Sequence, residues 1–364
     1  MPRASASQGL NRPPEQTHER RNRHGLAVAR TLRERGLQVI WLGSDGGMET
    51  RIVPEQGFCI ETLAIKGLRG KGAFSLLKAP MTIAAAVMAA HRIIRRHRPA
   101  AVISFGGYTA GPGGVAAWML GRPLLVHEQN RAPGMTNRLL ARIADKVMSG
   151  FPDSFKSVAH STVGNPVRPE ISALPAPELR FAGREGTLRI LVLGGSQGAR
   201  ALNAVLPAVL AGISDRIAFQ VRHQSGEKLL AETQAAYRTA NVGASVEAFI
   251  RDMAEAYGWA DVVIGRAGAL TVAEICAAGI ASILVPLPTA VDEHQASNAD
   301  FLKQHGGGMW FRQDAGLEEN LKQALIAIGG DSGKRMQMAN AARACAFPRA
   351  ADDVADFIIK EMAA

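Results

Sequence analysis

Residues 249–298 alternate short apolar runs with helix-compatible segments, and their polar residues gather where the apolar runs end. Helix followed by strand, repeated, calls for a parallel sheet whose neighbouring strands are joined by crossover helices. Residues 261–264 read as a buried strand. The Gly265-Arg266-Ala267-Gly268-Ala269 turn after it bends sharply and leaves free amides at the start of a helix over about 270–278. Such a helix start favours anionic groups such as phosphate. Glu274 stands one turn into that helix, where a carboxylate can accept hydrogen bonds from a ribose diol; a solvated helix face explains it equally well. A second strand, 281–286, feeds a loop with Asp292, His294, Gln295 and Asn298, whose polarity could be that of any loop.

The same strand, glycine turn and helix recur elsewhere. A strand over 101–105 opens into Gly106-Gly107-Tyr108-Thr109-Ala110-Gly111-Pro112-Gly113-Gly114, and a strand over 188–193 into Gly194-Gly195-Ser196-Gln197-Gly198-Ala199-Arg200. Either could hold a diphosphate. Neither has the spacing of a dinucleotide fingerprint or a Walker lysine, so an NAD enzyme and an NTPase are not supported. The strand at 124–127 delivers His127-Glu128-Gln129-Asn130 at its C-terminal end, where ligands bind in open parallel sheets. His127 and Glu128 can move protons and Asn130 can bond a sugar, although a Glu at a strand end is often only a cap. Further on, Arg168 closes Val163-Gly164-Asn165-Pro166-Val167-Arg168 and could grip a phosphate with its guanidinium fork; the proline-bearing 169–186 stretch behind it reads as a linker.

With 364 residues the chain is long enough for two domains, and its charge divides between them. Residues 1–165 hold 23 Lys and Arg against 10 Asp and Glu, whereas residues 166–364 hold 19 against 22, so the whole net charge of +10 comes from the first half. From residue 62 to 127 there is no carboxylate, and Lys66, Arg69, Lys71 and Lys78 are interleaved with Phe74, Leu76 and Leu77. That mixture suits the surface of an anionic bilayer, with Trp118 either joining it or lying in the core. Nucleic acid is disfavoured because the few aromatics do not alternate with the cations. No secretory signal is visible and the apolar run 79–90 is too short to span a bilayer. Cys59, Cys276 and Cys345 lack metal or redox spacing, which suggests a reducing compartment and packing roles.

Residues 266–274, followed by Asp292-Glu293-His294-Gln295, resemble the donor-nucleotide motif of the MurG family of peptidoglycan glycosyltransferases. These enzymes move N-acetylglucosamine (GlcNAc) from UDP-GlcNAc to the lipid-linked muramyl-peptide lipid I. The HEQN of 127–130, the GNPVR of 164–168 and the 106–114 glycine loop fall in the family's order, and the resemblance runs from about Gly25 to the C-terminus. It implies an α/β chain of two Rossmann-like domains facing each other across a cleft, the glycosyltransferase B fold. The first, 25–165, would take the acceptor and touch the membrane; the second, 166–349, would take the donor; 350–364 would form a helix returning to the first.

The implied donor site comprises Asn130, Arg168, Ser196, Ile250, Ala269, Leu270, Thr271, Val272, Ala273, Glu274 and Gln295. Within it Glu274 would hold the ribose, Ile250 the uracil through its backbone, Arg168 and Ser196 the diphosphate, and Gln295 the sugar. Gly106, Gly107 and Tyr108 would hold the acceptor diphosphate. The implied reaction is inverting, with attack by the muramyl 4-hydroxyl and departure of UDP. It needs no cofactor, and without an acidic pair of the DxD type at a strand end no protein-held metal is expected. The implied partners are UDP-GlcNAc, lipid I and an anionic membrane surface, without nucleic acid, and the implied location is peripheral, on the cytoplasmic face of the inner membrane.

The N-terminus departs from the family. Residues 1–24, with five arginines and hardly a large apolar side chain, read as a disordered basic tail where the family has an apolar strand and a GGTGGH loop. The family's loop histidine, the favoured base, would align with Arg21, and its role is not carried over to His24. Glu128, His127 and Tyr108 are the remaining candidates for proton transfer. Loss of a central strand would leave ladder groups unpaired. Two other functions therefore stay open. One is a catalytically impaired UDP-GlcNAc-binding protein from a truncated or frameshifted start; the other is a UDP-GlcNAc epimerase, which would not need the basic, apolar-studded surface.

Overall fold

The computed structural model describes residues 15–65, 79–184, 186–194, 199–288 and 294–363. In the first domain α1 (Glu15–Glu34), β1 (Ile40–Ser44), α2 (Glu49–Glu55), β2 (Cys59–Leu63), α3 (Ala79–His97) and β3 (Val102–Ser104) come first. After them run α4 (Ala110–Met119), β4 (Leu124–Glu128), α5 (Met135–Leu140), β5 (Lys146–Ser149) and β6 (Ser161–Thr162). All ladders are parallel, but they form two pieces, β1–β2 and β3–β4–β5–β6. Every residue of β4 is buried, as a strand with neighbours on both sides and helices on both faces should be, whereas β1 exposes Ile40 at 41%.

Helix α1 begins at Glu15, so the expected disordered tail is corrected over residues 15–24. That segment contains no glycine or proline and is rich in Glu, Gln and Arg, and lengthening a helix that is already packed costs little per residue. Residues 1–14 lie outside the described residues.

Two short helices, α6 (Pro169–Ser172) and α7 (Pro177–Phe181), occupy the linker, each with proline in its first turn, where the missing N–H costs nothing. The second domain then runs β7 (Leu188–Leu193), α8 (Arg200–Ala211), β8 (Phe219–Gln224), α9 (Leu230–Thr239), β9 (Ser245–Glu247), α10 (Met253–Trp259) and β10 (Val262–Gly265). It continues with α11 (Ala269–Ala278), β11 (Ala281–Leu284), α12 (His294–Gln304), β12 (Gly308–Trp310), α13 (Leu317–Gly329) and α14 (Ser332–Ala344). Its sheet is a six-stranded parallel one in the order β12–β11–β10–β7–β8–β9, with the domain's first strand at the centre. One face packs Ile190, Val192, Ile264 and Ile283 on Leu202, Leu206 and Leu325; the other packs Leu191, Val263 and Leu284 on Val272, Ile275 and Tyr257. Gly194 ends β7 because a Cβ there would lie 2.6 Å from the Gln224 carbonyl.

The last helix, α15 (Ala350–Ala363), lies against α1 in the first domain, burying Val354, Ala355 and Ile358 with Val28 and Leu32. Arg35 of α1 pairs with Asp352 at 2.7 Å and also with Asp356. His24 is buried and donates through Nδ1 to the Pro166 carbonyl at 3.0 Å, which ties α1 to the segment between the domains. That segment turns at Gly164, with φ +80°, and packs so closely that an added Cβ would lie 2.1 Å from Cβ of Phe347. Among the described residues no helix is long and apolar enough to cross a membrane.

Candidate active site

The C-terminal ends of β4 and β10 meet at the junction of the two domains. From β4 come His127, Glu128 and Gln129, all buried, and the half-buried Asn130. Glu128 accepts four hydrogen bonds: from the Asn130 amide at 2.9 Å and its Nδ2 at 3.1 Å, from the Gly134 amide at 3.1 Å, and from Asn137 Nδ2 at 2.9 Å. Its carboxylate therefore shapes the 130–134 loop, and the expectation that it moves protons is corrected: both oxygens are committed to donors. His127 is corrected likewise. Its ring is fully buried, Nε2–H donates to the Gly164 carbonyl at 2.9 Å, and Nδ1 accepts from Gln129 at 3.3 Å, so no lone pair faces a substrate hydroxyl.

On the second domain, Gly268 precedes α11 in extended backbone and Val272 makes the first intrahelical bond, to the Gly268 carbonyl. The amides of Ala269, Leu270 and Thr271 therefore have no partner within the helix and form the anion-favouring end read from the sequence. Glu274 follows on the same helix, almost completely buried. Its Oε1 takes Arg168 Nε at 3.1 Å and NH2 at 2.6 Å, and its Oε2 takes the Tyr257 hydroxyl at 3.3 Å. The residues implied for ribose and diphosphate are thus brought together, as an ion pair spanning the linker and α11. Val272 is core, whereas Thr271 and Ala273 are half-buried. Ile250 is buried and its amide donates to Gln224 Oε1 at 3.2 Å.

The expected loop around His294, Gln295 and Asn298 is the start of α12. Gln295 Oε1 accepts from the Leu287 amide at 3.0 Å, which fastens the helix start to the strand end. Asn298, fully buried, bridges the domains: Nδ2 donates to Asn130 Oδ1 and to the Ala267 carbonyl, both at 3.2 Å, and Oδ1 accepts from the Arg131 amide at 2.9 Å. Sequence reading assigned Asn298 no role, although a lone amide beside Ala299, Phe301 and Leu302 on an apolar helix face was a signal. Arg266 is buried as a brace, donating to the Val285 carbonyl at 3.0 Å and to Gln313 at 2.7 Å. Ser196 and Asp292 lie outside the described residues.

In the first domain, Gly106 and Gly107 turn with φ 78° and 110°, conformations that favour glycine, and Tyr108 is 38% exposed. Gly113 makes the first helical bond of α4, to Thr109, which leaves the Ala110 and Gly111 amides at the helix start. Beyond this loop a cluster of large apolar side chains faces solvent: Met81 at 77% exposure and Met88 on α3, Trp118 at 56% on α4, and Leu139 on α5. Trp118 is therefore not core. The basic 66–78 segment lies outside the described residues.

Burial lowers the pKa of His127 from 6.5 to about 4 and that of His223 to about 3. His223 is fully buried, with hydrogen bonds to Tyr237 at 3.0 Å and Asn203 at 3.1 Å. Both folded values lie below the unfolded one, so as pH falls through about 6.5 the unfolded chain takes up protons that the fold refuses. Urea midpoints measured from about pH 7 down to 4 are expected to fall, by on the order of 3 kcal/mol for each histidine. A flat series would mean that neither ring is held neutral.

Comparison with known proteins places these residues in context. The profile of the glycosyltransferase family 28 N-terminal domain matches residues 24–149, and that of the family's C-terminal domain matches 189–354. The UDP-N-acetylglucosamine--N-acetylmuramyl-(pentapeptide) pyrophosphoryl-undecaprenol N-acetylglucosamine transferase of Xanthomonas axonopodis pv. citri (strain 306) is 57% identical over 337 residues, covering 93% of this chain and 78% of its own length. The Xylella fastidiosa (strain Temecula1 / ATCC 700964) protein of the same name is 55% identical, with 93% of each chain covered. The crystal structure of Acinetobacter baumannii MurG superposes with a TM-score of 0.83 at 39% identity, covering 93% of this chain and 95% of that one. A Listeria monocytogenes protein assigned as a UDP-N-acetylglucosamine 2-epimerase, with a TM-score of 0.62 at 12% identity, shares the fold alone.

Proposed function

The chain belongs to glycosyltransferase family 28, and from that premise we infer that it is a hexosyltransferase moving GlcNAc from UDP-GlcNAc to a muramyl-(pentapeptide) pyrophosphoryl-undecaprenol acceptor in peptidoglycan synthesis. The observation that carries the reading is the junction itself. A helix start with free amides, the buried Glu274 and the guanidinium of Arg168 converge there from two domains, opposite Asn130. The more-than-half-identical relatives are named as transferases, which favours transfer over the epimerase and the impaired binding protein.

In this reading UDP lies on the second domain. The Ala269, Leu270 and Thr271 amides and Arg168 stabilise negative charge on the diphosphate as the sugar bond breaks, Ser196 assists them, and Glu274 accepts from the ribose. Ile250 receives the uracil at its backbone, while Val272 and Ala273 carry the helix wall behind the donor. Asn130, held by Glu128 and Asn298, and Gln295 orient the sugar. Gly106, Gly107 and Tyr108, with the Ala110 and Gly111 amides, hold the acceptor diphosphate. Tyr108 is the one exposed member of the three proton-transfer candidates.

The acceptor is lipid-linked, so the exposed Met81, Met88, Trp118 and Leu139 serve as the contact with an anionic membrane surface. The protein would then act peripherally, on the cytoplasmic face of the inner membrane. Changing Met81 and Trp118 together to glutamate is expected to lower partitioning into phosphatidylglycerol vesicles about tenfold or more, with UDP binding unchanged. Equal partitioning of variant and parent in a sedimentation assay would rule this face out.

Transfer of labelled GlcNAc from UDP-GlcNAc to a lipid I analogue tests the whole reading. Folded protein that binds UDP without transferring sugar would match the impaired alternative; neither binding nor transfer would refute the donor site as well.

A further inference from the structure

The two halves of the chain differ at one place. In the second domain the first strand, β7, fills the centre of the sheet between β10 and β8 and runs into Gly194 ahead of α8. The first domain begins on α1, and its ladders stop on either side of the matching position. Among the described residues, β1 pairs with β2 alone and β3 with β4 alone.

Backbone parity shows which groups face the interruption. Asp45 donates to the Leu63 carbonyl, so Trp41, Gly43 and Asp45 point to β2, and Ile40, Leu42 and Ser44 point away from it. On that far side the Leu42 carbonyl accepts from Thr109 Oγ1 at 3.2 Å and the Ser44 amide donates to Glu49 at 2.9 Å, so side chains meet them at the upper end. Val102 donates to the Pro123 carbonyl, so Val102 and Ser104 point to β4 and Ile103 points toward β1. Apolar side chains close both faces of the interval: Val39, Ile103 and Phe105 belong to one cluster, Leu42 and Val102 to another. The result is a slot with two parallel strand edges as walls and apolar side chains above and below.

We propose that this slot takes one apolar β-strand, parallel to β1 and β3, as an added central strand of the first domain. The occupant is an extended apolar segment of about five residues running into glycine, because that is what fills the matching place in the second domain, Leu188–Leu193 followed by Gly194. Residues 1–14, with three prolines and with Met1 and Leu10 as their large apolar residues, do not have that composition. The strand would pair the Ile40, Leu42 and Ile103 amides and take Ile40 out of water. This inference is independent of the transferase reading, since its test reads backbone pairing and not sugar transfer.

The test adds to the full chain a lysine-tagged peptide with the sequence of residues 188–196 and follows amide exchange residue by residue. The Ile40, Leu42 and Ile103 amides are expected to slow about tenfold or more, and Tm to rise with peptide concentration. A peptide carrying Ile190→Pro and Val192→Pro, which lacks ladder donors, should do neither. The proposal is overturned if the three amides exchange unchanged at saturating peptide, or if the proline peptide protects them equally. It is also overturned if they are already slow in the chain alone, whether through its own residues or a second copy.

Discussion

Replacing Glu274 by alanine is expected to weaken UDP binding about a hundredfold, since a buried charged acceptor contributes the most where water cannot replace it. The carboxylate receives Arg168 through two nitrogens, at 3.1 and 2.6 Å, and Tyr257 at 3.3 Å, so its oxygens are held where α11 opens toward the junction. The same change leaves Arg168, itself partly shielded, without its anion, and is expected to cost stability as well, about 2 kcal/mol. Glu274→Gln keeps the shape and one acceptor, and should lose only about tenfold in affinity. Calorimetry with UDP and urea unfolding on the same preparations separate the two effects. If affinity stays within about twofold of the parent while stability drops, Glu274 is a clamp between the linker and α11, and its ribose role is refuted.

Glu128→Ala is expected to lower kcat by about a hundredfold or more and stability by about 3 kcal/mol. Four donors, from Asn130, Gly134 and Asn137, lose their acceptor at once, and the loop that presents Asn130 to Asn298 loses its support. Glu128→Gln should be nearly as damaging, because the new amide would point its own N–H groups at donors. That outcome distinguishes a supporting carboxylate from a general base. A base exchanged for glutamine would keep its stability and lose rate alone, and such a result would restore Glu128 to proton transfer.

The donor end of the site was legible in the sequence because it is local. The strand ending at Gly265, the turn to Gly268 and the helix start lie within a few residues of one another, and glycine spacing with an apolar run specifies them together. The roles of His127 and Glu128 were not legible. Their chemistry is suited to proton transfer, but burial and the partners Gly164, Gly134 and Asn137 assign them to support, and those partners come from other parts of the chain. Asn298 was overlooked for the same reason: Asn130, with which it pairs, is 168 positions away.

Sequence by itself determined the alternation of strands and helices, the parallel α/β class, the position of the glycine turns and the basic first half, since each follows from local propensity, periodicity or a count of charges. Only the tertiary structure decided that Arg168 and Glu274 neutralise one another, that the two catalytic candidates on β4 are bonded inward, and that the first sheet stops on both sides of an unfilled centre. The physical reason is that hydrogen bonding and desolvation act between groups close in space, and the fold alone determines which distant residues become neighbours.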